Sequence, residues 1–195
     1  MKQTIMLGAA FALAFAVQAA AQEKKEPEKT VVTGAQAPEF KIKGADGQEV
    51  DLAKLTAKGP VLVRLTCGCS GCDKELDYFL AINAAYKDKG LTTLAVFKEP
   101  QAKIAEYAKQ RKIEMLYAVD TQGDSWKVFQ TKAMPTNVLI EKGGRIASIA
   151  AGCDPSGLLA NIVSEKAAKL LETDSVDVKK KTEAKKSEEK KAPNP

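Results

Sequence analysis

The 195-residue chain carries a formal net charge of +5 and contains four cysteines but no histidine. The missing histidine excludes Cys/His zinc fingers, Ser-His-Asp and Cys-His catalytic sites, and haem or copper centres that need a histidine ligand. The charge is modest and no basic patch alternates with aromatic residues, so nothing indicates nucleic-acid binding.

Both ends of the chain have compositions that predict non-globular segments. Residues 1–21 combine an early lysine, an uncharged apolar run and a final Ala-Ala-Ala, as cleaved secretory signal peptides do. A membrane anchor is the alternative, although the apolar run is short for a span of about 20 residues. Residues 22–33 are interpreted as a polar linker, and the Lys/Glu-rich residues 173–195 are predicted to be disordered. Residues 34–172 then form one domain.

Strand and helix patterns follow one another through the first half of this domain. Residues 40–50 alternate in polarity around an Asp-Gly turn, which predicts a hairpin, and residues 51–58 suit a short helix or turn. Residues 60–65 are almost continuously apolar, as central buried strands are. Residues 70–87 change to helical spacing and end at Lys89-Gly90.

The second half continues the alternation and then adds a second hairpin. Strand-like runs at 91–97 and 115–119 flank a helix that begins at Pro100, and residues 126–130 suit a short helix. Runs at 137–140 and 145–150 predict the hairpin. Asp154 and Pro155 are expected to cap a last helix. Its inward residues are expected to be Leu158, Leu159, Ile162 and Val163. The order predicts an α/β fold with a mixed sheet flanked by helices on both faces.

The strongest functional motif is Cys69-Ser70-Gly71-Cys72, placed between the first buried strand and the first long helix. A sulfur at a helix N-terminus meets unpaired backbone N–H groups, which favour the thiolate. The second sulfur lies in the same turn, so the pair can close a small disulfide ring. We expect Cys69 to attack a partner disulfide and Cys72 to resolve the mixed disulfide. A static structural disulfide is the alternative.

A second motif, Met134-Pro135-Thr136, leads into a later apolar strand. We expect a cis Met134–Pro135 peptide bond in a turn that faces Cys69. Pro135 would then hold the turn so that Met134, together with Thr136, contacts the backbone of a bound peptide. The alternative is an ordinary proline at the start of a strand.

Three segments together resemble the redoxin branch of the thioredoxin superfamily, in particular the TlpA/ResA-like exported thiol-disulfide oxidoreductases. They are residues 34–63 with their Gly-Pro and Asp-Gly turns, residues 69–75, and residues 134–146. The resemblance implies a thioredoxin-like mixed sheet and a redox-active disulfide as the only redox group, with no cofactor. It also places Glu75 where the family has a glutamate three residues after its second cysteine.

The resemblance suggests roles for two charged residues near the motif. Glu75 would act through a water molecule as the base for Cys72, and an exposed acid that favours the helix dipole is the alternative. Arg64 lies near the place where relatives carry a buried Asp or Asn. It would either stabilise the thiolate, form a salt bridge or point into solvent.

Cys67 and Cys153 are candidates for an accessory redox role. The strands that precede them end on the same side of the predicted sheet, so Cys153 is expected at the rim of the site, within reach of Cys67 or Cys69. We assign no metal site. The alternative is that these two residues, with Cys69 and Cys72, bind zinc or Cu(I) through four sulfurs and make the protein a metal carrier.

A thiol peroxidase is the second enzymatic alternative, because Thr66 precedes Cys69 by three residues, as in the Thr-x-x-Cys of peroxiredoxins. Leu62 stands where that motif has a proline. The favoured function is exchange of disulfides with protein thiols and disulfides in the periplasm, after secretion across the inner membrane. We expect a membrane or periplasmic redox partner, no nucleic acid, and a monomer.

Overall fold

The structure is a computed structural model that describes residues 30–191, with side chains as far as residue 188. The predicted signal peptide lies outside the described residues, as does the predicted linker up to residue 29. Of the last residues of that linker, Val31 packs against the core, and its N–H donates to Gln130 Oε1 at 3.1 Å. Among the described residues, no helix has the length and apolar character needed to span a membrane.

Seven strands and six α-helices occupy the described part of the chain. In chain order they are β1 (Lys41–Lys43), β2 (Glu49–Asp51), α1 (Leu52–Lys58), β3 (Val61–Thr66), α2 (Ser70–Tyr86), β4 (Thr92–Phe97), α3 (Gln101–Gln110), β5 (Leu116–Val119), α4 (Asp124–Val128), β6 (Thr136–Ile140), β7 (Ile146–Ala151), α5 (Leu158–Leu170) and α6 (Val178–Lys191). A short 3₁₀ turn follows α2 and ends at Gly90, whose φ of +103° suits glycine.

The main sheet has five strands in the order β5-β4-β3-β6-β7, and β1 pairs with β2 in a separate hairpin. The strands β3, β4 and β5 are parallel to one another, whereas β6 runs antiparallel to both of its neighbours. The predicted mixed sheet is therefore confirmed. Because β3 is central, its carboxyl end lies between the end of β4 and the start of β6.

The two faces of β3 pack against different helices, as the period-two geometry of a strand requires. Val63 lies in a core cluster with Leu52 of α1 and Trp126 of α4. Leu62 lies in a second cluster with Phe79 of α2 and with residues of α5 and α6. The predicted helices on both faces of the sheet are thus confirmed. The helix α2 packs against the sheet through Phe79.

The helix α4 begins at Asp124, two residues before the expected start. The side chain of Asp120 accepts the N–H of Ser125 at 2.6 Å and that of Gly123 at 2.8 Å. These bonds satisfy backbone donors at the start of the helix and fix its position. The cap lies in the loop before the helix, whereas the apolar pattern used for the prediction begins only at Trp126.

The predicted inward face of α5 is wrong at two positions. Leu158 is 60% exposed and Ile162 is 53% exposed, although Val163 is buried. The buried stripe of the helix instead contains Ala160 and Ala167, which allow close approach to α2. The prediction assumed that the largest apolar side chains face inward. In the structure, small alanines occupy much of the buried face of α5 instead.

The prediction of disorder for residues 173–195 is wrong for those that the structure describes, since α6 occupies most of them. Val178 is completely buried, and its N–H donates to Asn161 Oδ1 at 3.1 Å. The N–H of Val176 donates to Tyr86 Oη at 2.8 Å. Lys186 forms an ion pair with Asp77 of α2 at 2.8 Å. Buried Val178, these backbone hydrogen bonds and the ion pair together attach the segment to the domain.

Candidate active site

The Cys-X-X-Cys motif lies at the predicted strand-to-helix junction. Cys69 is the N-cap residue of α2, and its C=O accepts the N–H of Asp73 at 2.9 Å. Its side chain is exposed, whereas that of Cys72, in the first turn, is buried. The structure thus presents the first cysteine to solvent at the positive end of a 17-residue helix and shelters the second.

Cys67 lies in the same cluster as the two motif cysteines. Its Sγ is 3.1 Å from Sγ of Cys72, and the three sulfurs of Cys67, Cys69 and Cys72 all lie within 4.8 Å of one another. We refer to these three residues as the trithiol cluster. All of its thiols are free, and their spacing also lets them share one soft metal ion.

The pKa values of Cys69 and Cys67 are shifted in opposite directions within the cluster. A hydrogen bond from the Cys67 side chain, followed by bonds from backbone N–H groups of α2, lowers the pKa of the Cys69 thiol. Burial, followed by the bonds to Cys69 and Cys72, raises the pKa of the Cys67 thiol. The Cys69 thiol is therefore the more acidic of the two.

Cys153 lies at the rim of the site, in the loop after β7. Its Sγ donates to the C=O of Gly71 at 3.2 Å, so it touches the first turn of α2. Partial burial, followed by the charge of Glu75, raises the pKa of the Cys153 thiol. Cys153 and Cys67 are both free thiols, and the sulfur contact of Cys67 is with Cys72.

A buried charged network lies beneath the cluster. Arg64 Nη2 is 3.0 Å from Glu75 Oε2, and Arg64 Nη1 donates to Asn137 Oδ1 at 2.8 Å. The guanidinium also lies 4.0 Å from the ring centroid of Phe79. The other carboxylate oxygen of Glu75 accepts the N–H of Asp154. Arg64 therefore forms a salt bridge, and the alternative of an exposed Glu75 is wrong.

The Met134-Pro135-Thr136 turn lies at the same edge of the sheet. The Met134–Pro135 peptide bond is cis, as predicted. Thr136 pairs with Leu65 of β3, which places the turn beside the segment that leads into the trithiol cluster. Thr136 is buried and its hydroxyl donates to the C=O of Ala133 at 2.9 Å, so its side chain supports the turn itself.

Two residues of the site were missed in the sequence. Glu99 Oε1 accepts the N–H of Gly68 at 2.7 Å and holds the loop between Cys67 and Cys69. Asn137 orients Arg64 from the neighbouring strand. The available signals were topological: Glu99 follows β4, which ends at the same edge as β3, and Asn137 is a polar residue in an apolar run.

The sequence matches known proteins over this same region. Residues 33–149 match the model of the AhpC/TSA family, which is more than half of the chain. Over 120 residues the chain is 28% identical to the thiol-disulfide oxidoreductase ResA of Bacillus thuringiensis subsp. konkukian. That match covers 61% of this chain and 69% of the relative.

Solved structures share the fold at lower identity. A thiol:disulfide interchange protein DsbE from Chlorobium tepidum, itself described as putative, has a TM-score of 0.66 at 24% identity. That match covers 73% of this chain and 99% of the other. The thioredoxin domain of a thiol-disulfide oxidoreductase from Bacteroides vulgatus has a TM-score of 0.60 at 24% identity, covering 71% and 99%. These matches confirm the predicted thioredoxin-like fold.

Proposed function

Because this chain belongs to the AhpC/TSA family and is a thiol-disulfide oxidoreductase, we propose that it exchanges disulfides with protein partners through Cys69 and Cys72. The observation that carries the proposal is the position of Cys69. It is the exposed N-cap residue of α2, and its pKa is lowered by a hydrogen bond from Cys67. A thiol in that setting is a nucleophile at neutral pH.

The exchange needs two steps, and the Cys69 sulfur takes part in both. The Cys69 thiolate attacks a partner disulfide, forms a mixed disulfide and releases one partner thiolate. Cys72 then attacks Cys69, breaks the mixed disulfide and releases the second partner thiolate. The partner disulfide is reduced to two thiols while the protein dithiol is oxidised to a disulfide, and the reverse sequence oxidises a partner. The redox-active disulfide is the only redox group that this scheme uses.

Supporting residues have roles that their positions favour. Glu75 lies one helical turn after Cys72, is buried, and would accept the Cys72 proton through a water molecule. Met134 would offer its backbone N–H and C=O to an extended partner segment, with Pro135 and Thr136 holding the turn. Arg64 keeps Glu75 in place through its ion pair.

The proposed partners are protein thiols and disulfides, including a membrane or periplasmic redox protein. Leu158 and Ile162 are exposed on the first two turns of α5, which begins close to Cys153. Exposed apolar side chains that follow the Cys153 loop in the chain suit contact with another protein. The signal-peptide pattern of residues 1–21 supports a location in the periplasm. We propose that the protein acts there as a monomer.

The experiment compares two matched variants with a disulfide-bonded protein such as insulin as substrate. Cys69→Ser removes the attacking sulfur and should abolish reduction of the substrate. Cys72→Ser leaves the first attack intact and should accumulate a mixed disulfide at Cys69, visible on a non-reducing gel. Wild-type exchange by Cys69→Ser would overturn the proposal. Detection of the untagged protein in the cytoplasmic fraction would overturn its location.

The spacing of the trithiol cluster favours a soft metal ion as the second candidate, since all three sulfurs lie within 4.8 Å. Metal analysis of the reduced protein after equilibration with Cu(I) or zinc would detect such a complex. A peroxide-consumption assay tests the third candidate, a thiol peroxidase. Neither alternative requires reduction of a protein disulfide, so the insulin assay separates both from the proposed function.

A further inference from the structure

We propose that Cys67 is a third redox-active residue, which takes over the disulfide from Cys69 and pairs with Cys72. The oxidised protein would then keep Cys69 as a free, exposed thiol. This inference rests on the proposed exchange through Cys69 and Cys72 and adds what happens to the disulfide after that exchange.

The geometry of the cluster makes Cys67 a partner of Cys72. The two sulfurs are 3.1 Å apart, so they need to approach by about 1 Å to reach bonding distance. Cys67 directly follows the last residue of the central strand β3, and Cys72 is buried in the first turn of α2. The contact therefore joins the ends of two well-packed elements.

The step that moves the disulfide is an internal exchange. The Cys67 thiol loses its proton to solvent and attacks Cys72 Sγ of the Cys69–Cys72 disulfide. The Cys67–Cys72 bond forms, the Cys69–Cys72 bond breaks, and Cys69 leaves as a thiolate. One disulfide is consumed and one is produced, so no external oxidant or reductant is needed.

The environment of each sulfur favours the exchange in this direction. Cys69 is the N-cap residue of α2, where unpaired backbone N–H groups stabilise a thiolate, so it is the better leaving group and the better holder of negative charge. Cys67 is half-buried and Cys72 is buried, whereas Cys69 is exposed. The new disulfide is thus sheltered, while the sulfur that contacts partners is released.

The first test maps the bridge in the full mature protein. Reduced protein is treated with one equivalent of oxidised glutathione, quenched with acid, and labelled with N-ethylmaleimide. It is then reduced and labelled with iodoacetamide, and fragment spectra of the tryptic peptide 65–74 locate each label. We expect most bridged chains to carry the first label on Cys69 and the second on Cys67 and Cys72. First label mainly on Cys67, or a bridge that includes Cys153, would overturn the inference.

Three single variants make the test independent of how the disulfide is distributed among the cysteines of the wild-type protein. Cys69→Ser should still form a Cys67–Cys72 bridge, although it cannot attack a partner. Cys67→Ser should confine the disulfide to Cys69 and Cys72, so that Cys69 of the oxidised protein loses almost all of its reaction with N-ethylmaleimide. Cys153→Ser should still form the Cys67–Cys72 bridge.

These outcomes separate the two proposals. If Cys69→Ser forms no bridge while Cys67→Ser does, the role of Cys67 is wrong and exchange through Cys69 stands. If Cys69→Ser reduces insulin at the wild-type rate, the proposed function fails whichever bridge is mapped.

Discussion

Arg64 and Glu75 form an ion pair with 3.0 Å between Nη2 and Oε2, and each side chain is only 1% exposed. The pair joins β3 to α2 one turn after Cys72. Because Glu75 also accepts the N–H of Asp154, the same carboxylate fixes the loop that carries Cys153. The active-site elements are therefore held together from beneath by one buried charge pair.

Removal of Arg64 should strongly destabilise the protein. In Arg64→Met the carboxylate of Glu75 stays buried without its counter-charge, which costs about 3–5 kcal/mol. Urea unfolding of the reduced protein measures the loss. Arg145→Met is a matched control, because Arg145 bonds the C=O of Gly34 at the surface, and it should change stability by less than about 1 kcal/mol.

The double variant Arg64→Met/Glu75→Leu should recover part of the stability lost by Arg64→Met, since both charges are then absent. An Arg64→Met protein that unfolds within about 0.5 kcal/mol of the wild type would show that water or another group replaces the guanidinium, and it would contradict this account.

The strands and helices were largely readable from the sequence because their apolar periods are strong. The charged network was harder to predict from the sequence. Arg64 inside an apolar strand indicates a buried partner, but spacing alone does not select Glu75 over another acidic residue. The Cys67–Cys72 contact depends on the path of the loop at Gly68, which a distant residue, Glu99, holds. Such a tertiary contact leaves no local pattern in the sequence.

Glu99 should control the loop within the trithiol cluster. Glu99→Ala removes the acceptor for the Gly68 N–H and should cost about 0.5–1.5 kcal/mol of stability. It should also raise the alkylation rate of Cys67, because the loop is less restrained. Glu99→Gln keeps an acceptor oxygen and is the matched control. Equal Cys67 reactivity in the two variants would argue against this restraint.

Reactivity of Cys69 should depend on the thiol of Cys67. The lowered pKa of Cys69 means that its thiolate persists below the ordinary thiol pKa and is lost only as pH falls through the lowered value. Cys67→Ala removes the hydrogen-bond donor, so the pKa of Cys69 should rise and its alkylation by iodoacetamide at mildly acidic pH should slow. Cys67→Ser keeps a donor and should retain most of the rate. A lower Cys69 pKa in Cys67→Ala would reverse this assignment.

Exposed apolar residues on α5 should matter only for protein substrates. Leu158→Ser removes a side chain that is 60% exposed and so should leave stability nearly unchanged. We expect a higher KM for a protein disulfide and an unchanged rate with a small aromatic disulfide. The control is Val32→Ser, at an exposed residue in the N-terminal segment. Equal effects of both variants on the protein substrate would remove the support for docking at α5.

The C-terminal helix should depend on one buried valine. Val178→Asp places a charge in a site that is fully buried, and it forfeits about 1.5–3 kcal/mol of valine burial. We expect α6 to detach, with faster tryptic cleavage at the lysines after position 178 and a lower urea midpoint. Ala184→Asp, at an exposed position of the same helix, is the matched control. If both variants resist trypsin as the wild type does, the valine is not the anchor. If Ala184→Asp releases the helix equally, charge within α6 rather than burial determines its attachment.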